Sequence, residues 1–427
     1  MNSFIGDSVR HFLFRIFGLI ISFSITIIIS NNLGAEAKGY FSLFFLIIGY
    51  FTMIGSIGLP GATVFFSARD PEFNPWHSIS LSYLLTILIC ILYIIICNFY
   101  FSNRLSSFMY VIIGTIFILL SNVNNVKQHI LISKKKINDY NFTSVVPTFI
   151  MLCLFSILYF SGNLNLKNSV ILYLLGECLK YCFLRYKLKM FLKKFTLQRN
   201  YAIWKKLFLY GLKGHPGRVF WSINHKVDFL FINFLMGTIY VGIYSIAFAL
   251  TELLTLAASS LSAILVPYIT STDEKHDNLT KSSLNFILYF SLLTGLLLIL
   301  SSSIIIDTFF IDEYCDAKSI IIFLMPGMIL LSLIRVIAAH LSAIGLPQIQ
   351  SYGAVASLVT TITLDFILIP LYGLAGAAIA TSIAYFINFI ILFNFFNNHT
   401  EIKFRDIIIF DVNLYKLFFS KLLHHRT

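Results

Sequence analysis

LGAEAKGYFS (33–42) has a near-copy at MGTIYVGIYS (236–245), and this pair decides how the chain folds. Gly34 matches Gly237, Gly39 matches Gly242, Phe41 pairs with Tyr244 and Ser42 matches Ser245, every pair 203 residues apart. The same offset holds upstream. Arg15 falls opposite Arg218 and Arg10 opposite Lys213, with FRIF (14–17) against GRVF (217–220). Downstream it slips by four, so that Pro60 stands opposite Pro267, each expected to close its helix just before a loop. A phrase repeated at this distance predicts a chain of two similar halves.

The composition says what the halves are made of. Hydrophobic residues are 58% and charged residues 12%, about half the roughly 25% charged of a soluble domain. Mean hydropathy is +0.84. A membrane-spanning helix needs about 20 mostly apolar residues, and about twelve such stretches occur: 7–31, 39–61, 78–99, 107–126, 142–161, 169–187, 207–235, 240–266, 284–306, 319–345, 351–370 and 374–396. The expected fold is an all-α polytopic membrane protein of about twelve transmembrane helices. Six per half means that both halves run the same way, as parallel repeats around a central cavity, where transporters of this kind bind their substrate. The halves are expected at 1–187 and 207–396, joined by a basic linker at 188–206 and followed by a basic tail at 397–427. Pro216 and Pro326 lie in long spans and predict kinks or tilts.

The net charge of +12 is a topology signal. Even-numbered connections and the termini carry 21 of the 31 lysines and arginines, Lys127 among them; odd-numbered connections carry four, Lys38, Arg104, Lys167 and Lys318. By the positive-inside rule both termini are cytoplasmic, and no nucleic-acid partner is implied. The first apolar run has no small-residue cleavage site after it and reads as a retained helix. Five of six cysteines, Cys90, Cys97, Cys153, Cys178 and Cys182, lie in spans without histidines at metal-site spacing, so neither metal nor cofactor is expected. No Gly-Lys-Ser/Thr phosphate loop is present. The longest outer connection, 307–318, is acidic but holds no carboxylate pair on a rigid element. The expectation is therefore not an enzyme.

Ten charges break the apolar pattern: Arg15, Lys180, Lys213, Arg218, Lys226 and Arg335, with Glu177, Asp228, Glu252 and Asp365. Each costs roughly 2.5–3.5 kcal/mol at the bilayer centre. Ten facing lipid would exceed the roughly 5–15 kcal/mol of net stability typical of a soluble domain. They must be paired, interfacial, or turned to water. Glu177 and Lys180 share a helix face and read as a structural pair. His225 and Asp228 are also three apart, and Lys213 is expected to snorkel from a helix end. Arg15, Arg218 and Arg335 have no acid at i±3 or i±4, so each needs a partner from another helix or a ligand. Asp228, Glu252 and Asp365 read equally as ion-coupling acids or as partners of those arginines. GHPG (214–217) is expected to break helix hydrogen bonding inside the seventh span, as a hinge, a cavity opening or a simple kink.

Three longer stretches carry a resemblance. HKVDFLFINFLMGTIYVGIYSIAFALTELL (225–254) resembles the seventh and eighth helices of bacterial polysaccharide flippases. FLMPGMILLSL (323–333) resembles their tenth helix, and LDFILIPLYGLAGAAIATSIAY (364–385) their eleventh-to-twelfth turn. With two six-helix halves, the chain is similar over nearly its whole length to Wzx-type O-antigen flippases of the multidrug/oligosaccharidyl-lipid/polysaccharide export superfamily. The resemblance implies movement of a polyprenyl-diphosphate-linked oligosaccharide from the cytoplasmic to the periplasmic leaflet, driven by protons or sodium. The implied partners are that lipid-linked oligosaccharide, the bilayer, a polysaccharide polymerase and a chain-length regulator. Charge logic then assigns Arg15 and Arg218 to the diphosphate, supported by Lys213, Lys226 and Arg335, because arginine binds it bidentately and stays charged. Asp228, Glu252 and Asp365 are the coupling or partner acids. Two rival readings stay open: a drug antiporter of the same superfamily, whose cavity would favour acids, and a scaffold of the assembly machinery that transports nothing.

Overall fold

The structure, a computed structural model, describes residues 2–69, 73–100, 108–134, 136–189, 200–270, 277–346, 348–400 and 402–409. Residues 190–199 of the expected linker and 401 and 410–427 of the expected tail lie outside the described residues, as do Arg104, Lys135, Lys275 and the side chain of Arg10.

Among the described residues every regular element is helical. The first helix, α1 (Asn2–Ser56), has 55 residues. At about 1.5 Å per residue it is roughly 80 Å long, more than twice the roughly 30 Å of a bilayer core, and so must hold two passes. It divides at Gly34, whose φ of 72° and ψ of 174° are non-helical. After α2 (Leu59–Arg69) come α3 (Trp76–Tyr100), α4 (Phe108–Ser133), α5 (Ile137–Phe160) and α6 (Leu166–Leu188). Then follow α7 (Tyr201–Asn224), α8 (Val227–Leu235), α9 (Thr238–Glu252), α10 (Thr255–Thr270), α11 (Asp277–Phe309) and α12 (Ala317–Ala343). The 52-residue α13 (Gln348–His399) again holds two passes and divides at Gly373, φ 59°; the short α14 (Phe404–Ile408) follows.

Seven of these helices are long and apolar enough to cross a membrane, and α9 with α10, bent by 49°, makes an eighth. Counting α1 and α13 twice and adding α6 and α7–α8 gives the twelve passes expected. The two added spans miss the apolar criterion because they carry charge: Glu177, Lys180 and Arg185 on α6, Lys213 and Arg218 on α7. The repeat survives in the backbone. Gly237, 203 residues after Gly34, has φ 108° and ψ 172° and likewise separates two helices. Only glycine adopts that region without strain.

The chain packs as two compact units, one from Ser3 to Val219 and one from Phe220 onward. The division falls inside α7, beyond the linker at 188–206, because the first turns of α7 lie against α1 and α2. A Cβ on Gly211 would overlap the Ile57 carbonyl, and one on Gly58 would overlap the Gly211 carbonyl. Two glycines thus let α7 cross the α1–α2 break at backbone contact. In the first unit, one core gathers Phe41, Phe44, Tyr93 and Phe155; a second gathers Leu59, Ile79, Val126, Leu184 and Leu207. In the second unit α12 is central, buried on nearly every turn from Ala317 to Leu341.

Three expectations need correction. Pro60 does not close a helix; it is the second residue of α2, where its missing N–H costs nothing, whereas Pro267 does lie near the end of α10. GHPG does not break α7, which runs through it to Asn224; the break comes at His225–Lys226. One proline removes a single helical hydrogen bond, while the residues at 224–226 have partners on other helices, described below. Lys127 lies in no connection but within α4, 3% exposed.

Candidate functional site

The break between α7 and α8 organises the second unit. Its loose end is held by side chains. Asn224 donates through Nδ2 to Ser357 Oγ (2.9 Å) and accepts at Oδ1 from Thr361 Oγ1 (3.0 Å). His225 meets the Tyr385 hydroxyl through Nδ1 at 3.0 Å and Glu252 Oε1 through Nε2 at 3.2 Å. The expected His225–Asp228 face does not form, because the break turns the two residues apart.

Asp228 lies in the first turn of α8 and is 1% exposed. Its Oδ1 accepts from the Phe229 amide (3.0 Å), and its Oδ2 from the Tyr244 hydroxyl (2.5 Å) and Thr381 Oγ1 (3.3 Å). A helix N-terminus opened inside the membrane favours negative charge there. Asp365, fully buried on α13, is within electrostatic reach of Asp228. Among the described residues neither of its oxygens has a hydrogen-bond partner, so no described arginine pairs with Asp365. Burying two carboxylates so close, one without a donor, is stable only if a proton or cation offsets a charge.

A different group stays accessible. Lys226, Glu252 and Arg335 are partly exposed and come from three helices or their ends. The Arg335 guanidinium lies over the Trp221 ring at 5.5 Å; Trp221 stacks on His225 at 5.0 Å; His225 holds Glu252. Lys226 lies over Phe248 at 5.8 Å.

The first unit holds the other cations. Arg15, Lys213 and Arg218 are all exposed. Lys213 sits in mid-α7, with eleven helical residues after it, not at a helix end. The Arg218 guanidinium lies against the Gly58 turn, two helical turns on from the Gly211 crossing, and within reach of His129. Arg15 is within reach of Tyr140. The Glu177–Lys180 pair forms, at 4.0 Å, with Glu177 Oε2 also accepting from Asn124 Nδ2 (2.7 Å).

Sequence reasoning missed Tyr244, Thr381 and Tyr385 around the acids, and the buried Lys127, whose Nζ lies 3.5 Å from the centre of the Tyr181 ring. A signal existed for part of this. Ser357, Thr361 and Asp365 recur every four residues in an otherwise apolar stretch, which marks a polar stripe on one helix face. Among the described residues no cluster of three or more metal-binding side chains occurs.

The polysaccharide biosynthesis protein family matches residues 7–273 of the chain. The chain is similar to the probable low-salt glycan biosynthesis flippase Agl15 of Haloferax volcanii, 23% identical over 413 residues, covering 93% of this chain and 84% of that protein. It is 22% identical over 295 residues to the capsular polysaccharide biosynthesis protein CapF of Staphylococcus aureus, covering 67% and 74%. Among solved structures it resembles the lipid II flippase MurJ in an inward closed conformation, with TM-score 0.75, 20% identity and coverage of 99% and 93%. It also resembles an inward-facing multidrug resistance MATE family transporter of the MOP superfamily, with TM-score 0.71, 16% identity and coverage of 90% and 94%. At these identities the structural likeness speaks for the fold alone, a multi-pass helical fold shared with those two proteins.

Proposed function

The chain belongs to the polysaccharide biosynthesis protein family, and on that basis we propose that it flips a polyprenyl-diphosphate-linked oligosaccharide, an O-antigen or similar repeat unit, across the bacterial inner membrane. Movement runs from the cytoplasmic to the periplasmic leaflet, with both termini cytoplasmic. The polymerase and chain-length regulator that consume the repeat unit are its expected partners.

The observation that carries this reading is the separation of charge by accessibility. Arg15, Lys213 and Arg218 are exposed and lie in or beside apolar helices. Accessible cations on apolar helices suit an anionic cargo, and a diphosphate offers oxygens for bidentate guanidinium contacts. Asp228 and Asp365 are buried and out of reach of a bulky cargo. Their unbalanced charge suits a proton or sodium ion, and uptake of that ion is the coupling step. Lys226 and Arg335, expected on the diphosphate as well, share their surroundings with Glu252.

The test is transport in proteoliposomes of a lipid-linked oligosaccharide whose label is quenchable from outside. Wild type should transport, and an Arg15→Ala/Arg218→Ala variant should lose at least about tenfold, as expected for lost hydrogen bonds to a charged group. Equal transport by both would remove the diphosphate from those arginines. Movement of a cationic dye in place of the glycolipid would favour a drug antiporter.

A further inference from the structure

Glu252 is set apart from the other intramembrane acids. Its side chain is 40% exposed, whereas Asp228 is 1% and Asp365 0%. It is also aimed. The Tyr385 hydroxyl lies on His225 Nδ1, and His225 Nε2 lies on Glu252 Oε1. Tyr385 and His225 are buried, at 2% and 7%. If the phenol donates to Nδ1, the tautomer that remains carries its proton on Nε2 and donates it to the carboxylate. Oε1 is then fixed, and Oε2 is left as an acceptor on a partly exposed side chain. Lys226 and Arg335, both within electrostatic reach of Glu252, supply donors around it.

The signs of these groups decide what they can bind. A diphosphate only accepts hydrogen bonds and is negative, so a fixed carboxylate repels it. A sugar hydroxyl both donates and accepts. A carboxylate flanked by an ammonium and a guanidinium matches hydroxyls arrayed along a glycan. We propose that Glu252, positioned by His225 and Tyr385 and flanked by Lys226 and Arg335, binds the sugar hydroxyls of the cargo and selects its glycan. This rests on the flippase reading above. It assigns the glycan to this face of the second unit. Glu252 is then a specificity residue, not a coupling acid.

The test compares two cargoes on the purified full-length protein: undecaprenyl diphosphate carrying a single sugar, and the same lipid carrying a complete repeat unit. Equilibrium binding in detergent is followed by tryptophan fluorescence, and transport of both is measured in proteoliposomes. Wild type should bind the repeat-unit lipid more tightly. Glu252→Ala should weaken it by roughly tenfold, one lost hydrogen bond to a charged group, while the single-sugar lipid changes by less than about twofold. Glu252→Gln, which keeps an acceptor oxygen and the side-chain shape, should fall between. Tyr385→Phe, which leaves the carboxylate in place but frees the imidazole, should lower the preference for the repeat unit without changing the response to an ion gradient. Equal weakening of both cargoes in Glu252→Ala and Glu252→Gln, or an altered ion dependence with the preference intact, would overturn the proposal and leave the flippase reading standing. Failure of wild type to bind either cargo would overturn both.

Discussion

In the first unit three cations lie at the surface; in the second two acids, Asp228 and Asp365, lie in the interior. Arg15, Lys213 and Arg218 are exposed, while Asp228 and Asp365 are enclosed by α8, α9 and α13. The difference teaches how a two-unit transporter can separate its tasks. A group meant for a bulky cargo has to stay accessible, and near lipid that is tolerable only for long, snorkelling side chains or beside water. A group meant for a proton or a bare ion gains from burial, because low dielectric makes its charge state switch sharply with what binds. The repeat thus supplied one backbone plan twice, with Gly34 and Gly237 at equivalent breaks, and the side chains placed on it diverged.

The largest effect that could break this comparison is at Asp365. Asp365→Asn removes a buried charge that has no donor. Gradient-driven transport should fall by about a hundredfold, while thermal stability in detergent holds or rises, since uncompensated buried charge costs several kcal/mol. A variant that melts earlier and still transports would make the carboxylate structural. Next is the helix crossing. Gly211→Ala forces a methyl group into the Ile57 carbonyl and should destabilise by about 1–3 kcal/mol, as overpacking does, with a lower melting temperature as the readout. Because Arg218 is placed by that crossing, cargo affinity should drop in the same variant. Smaller still is Tyr244→Phe. It removes one of three donors to Asp228 and, with two donors left, should cost about 0.5–1.5 kcal/mol, the net range for a typical hydrogen bond. It should alter the ion dependence of transport and leave cargo binding unchanged.

Much of the fold was legible because a bilayer demands long apolar helices, and the repeat around Gly34 and Gly237 returns as two equivalent backbone breaks. The charged positions were legible too, since they break that pattern. What they touch was not. GHPG carries the strongest breaking signal in its span, yet the helix breaks at His225–Lys226, where Asn224 and His225 find partners on α9 and α13 far along the chain. Local propensity cannot see a hydrogen bond 160 residues away. Lys127 looked like a loop lysine for a related reason: nothing near it in sequence announces the Tyr181 ring that receives its ammonium group. A cation–π contact of this kind stabilises by up to about 2 kcal/mol when desolvated, enough to offset much of the cost of drawing the charge inward.

The most direct measurement pairs two readouts on two variants: binding of the lipid-linked oligosaccharide at equilibrium, and transport driven by a proton or sodium gradient. Arg15→Ala/Arg218→Ala should lose cargo binding. Asp228→Asn/Asp365→Asn should keep cargo binding within about twofold yet no longer respond to the gradient, because the proposal gives the two lost carboxylates to the ion and not to the glycolipid. Loss of cargo binding in the acid variant, or a normal gradient response, would contradict the division of labour between exposed cations and buried acids.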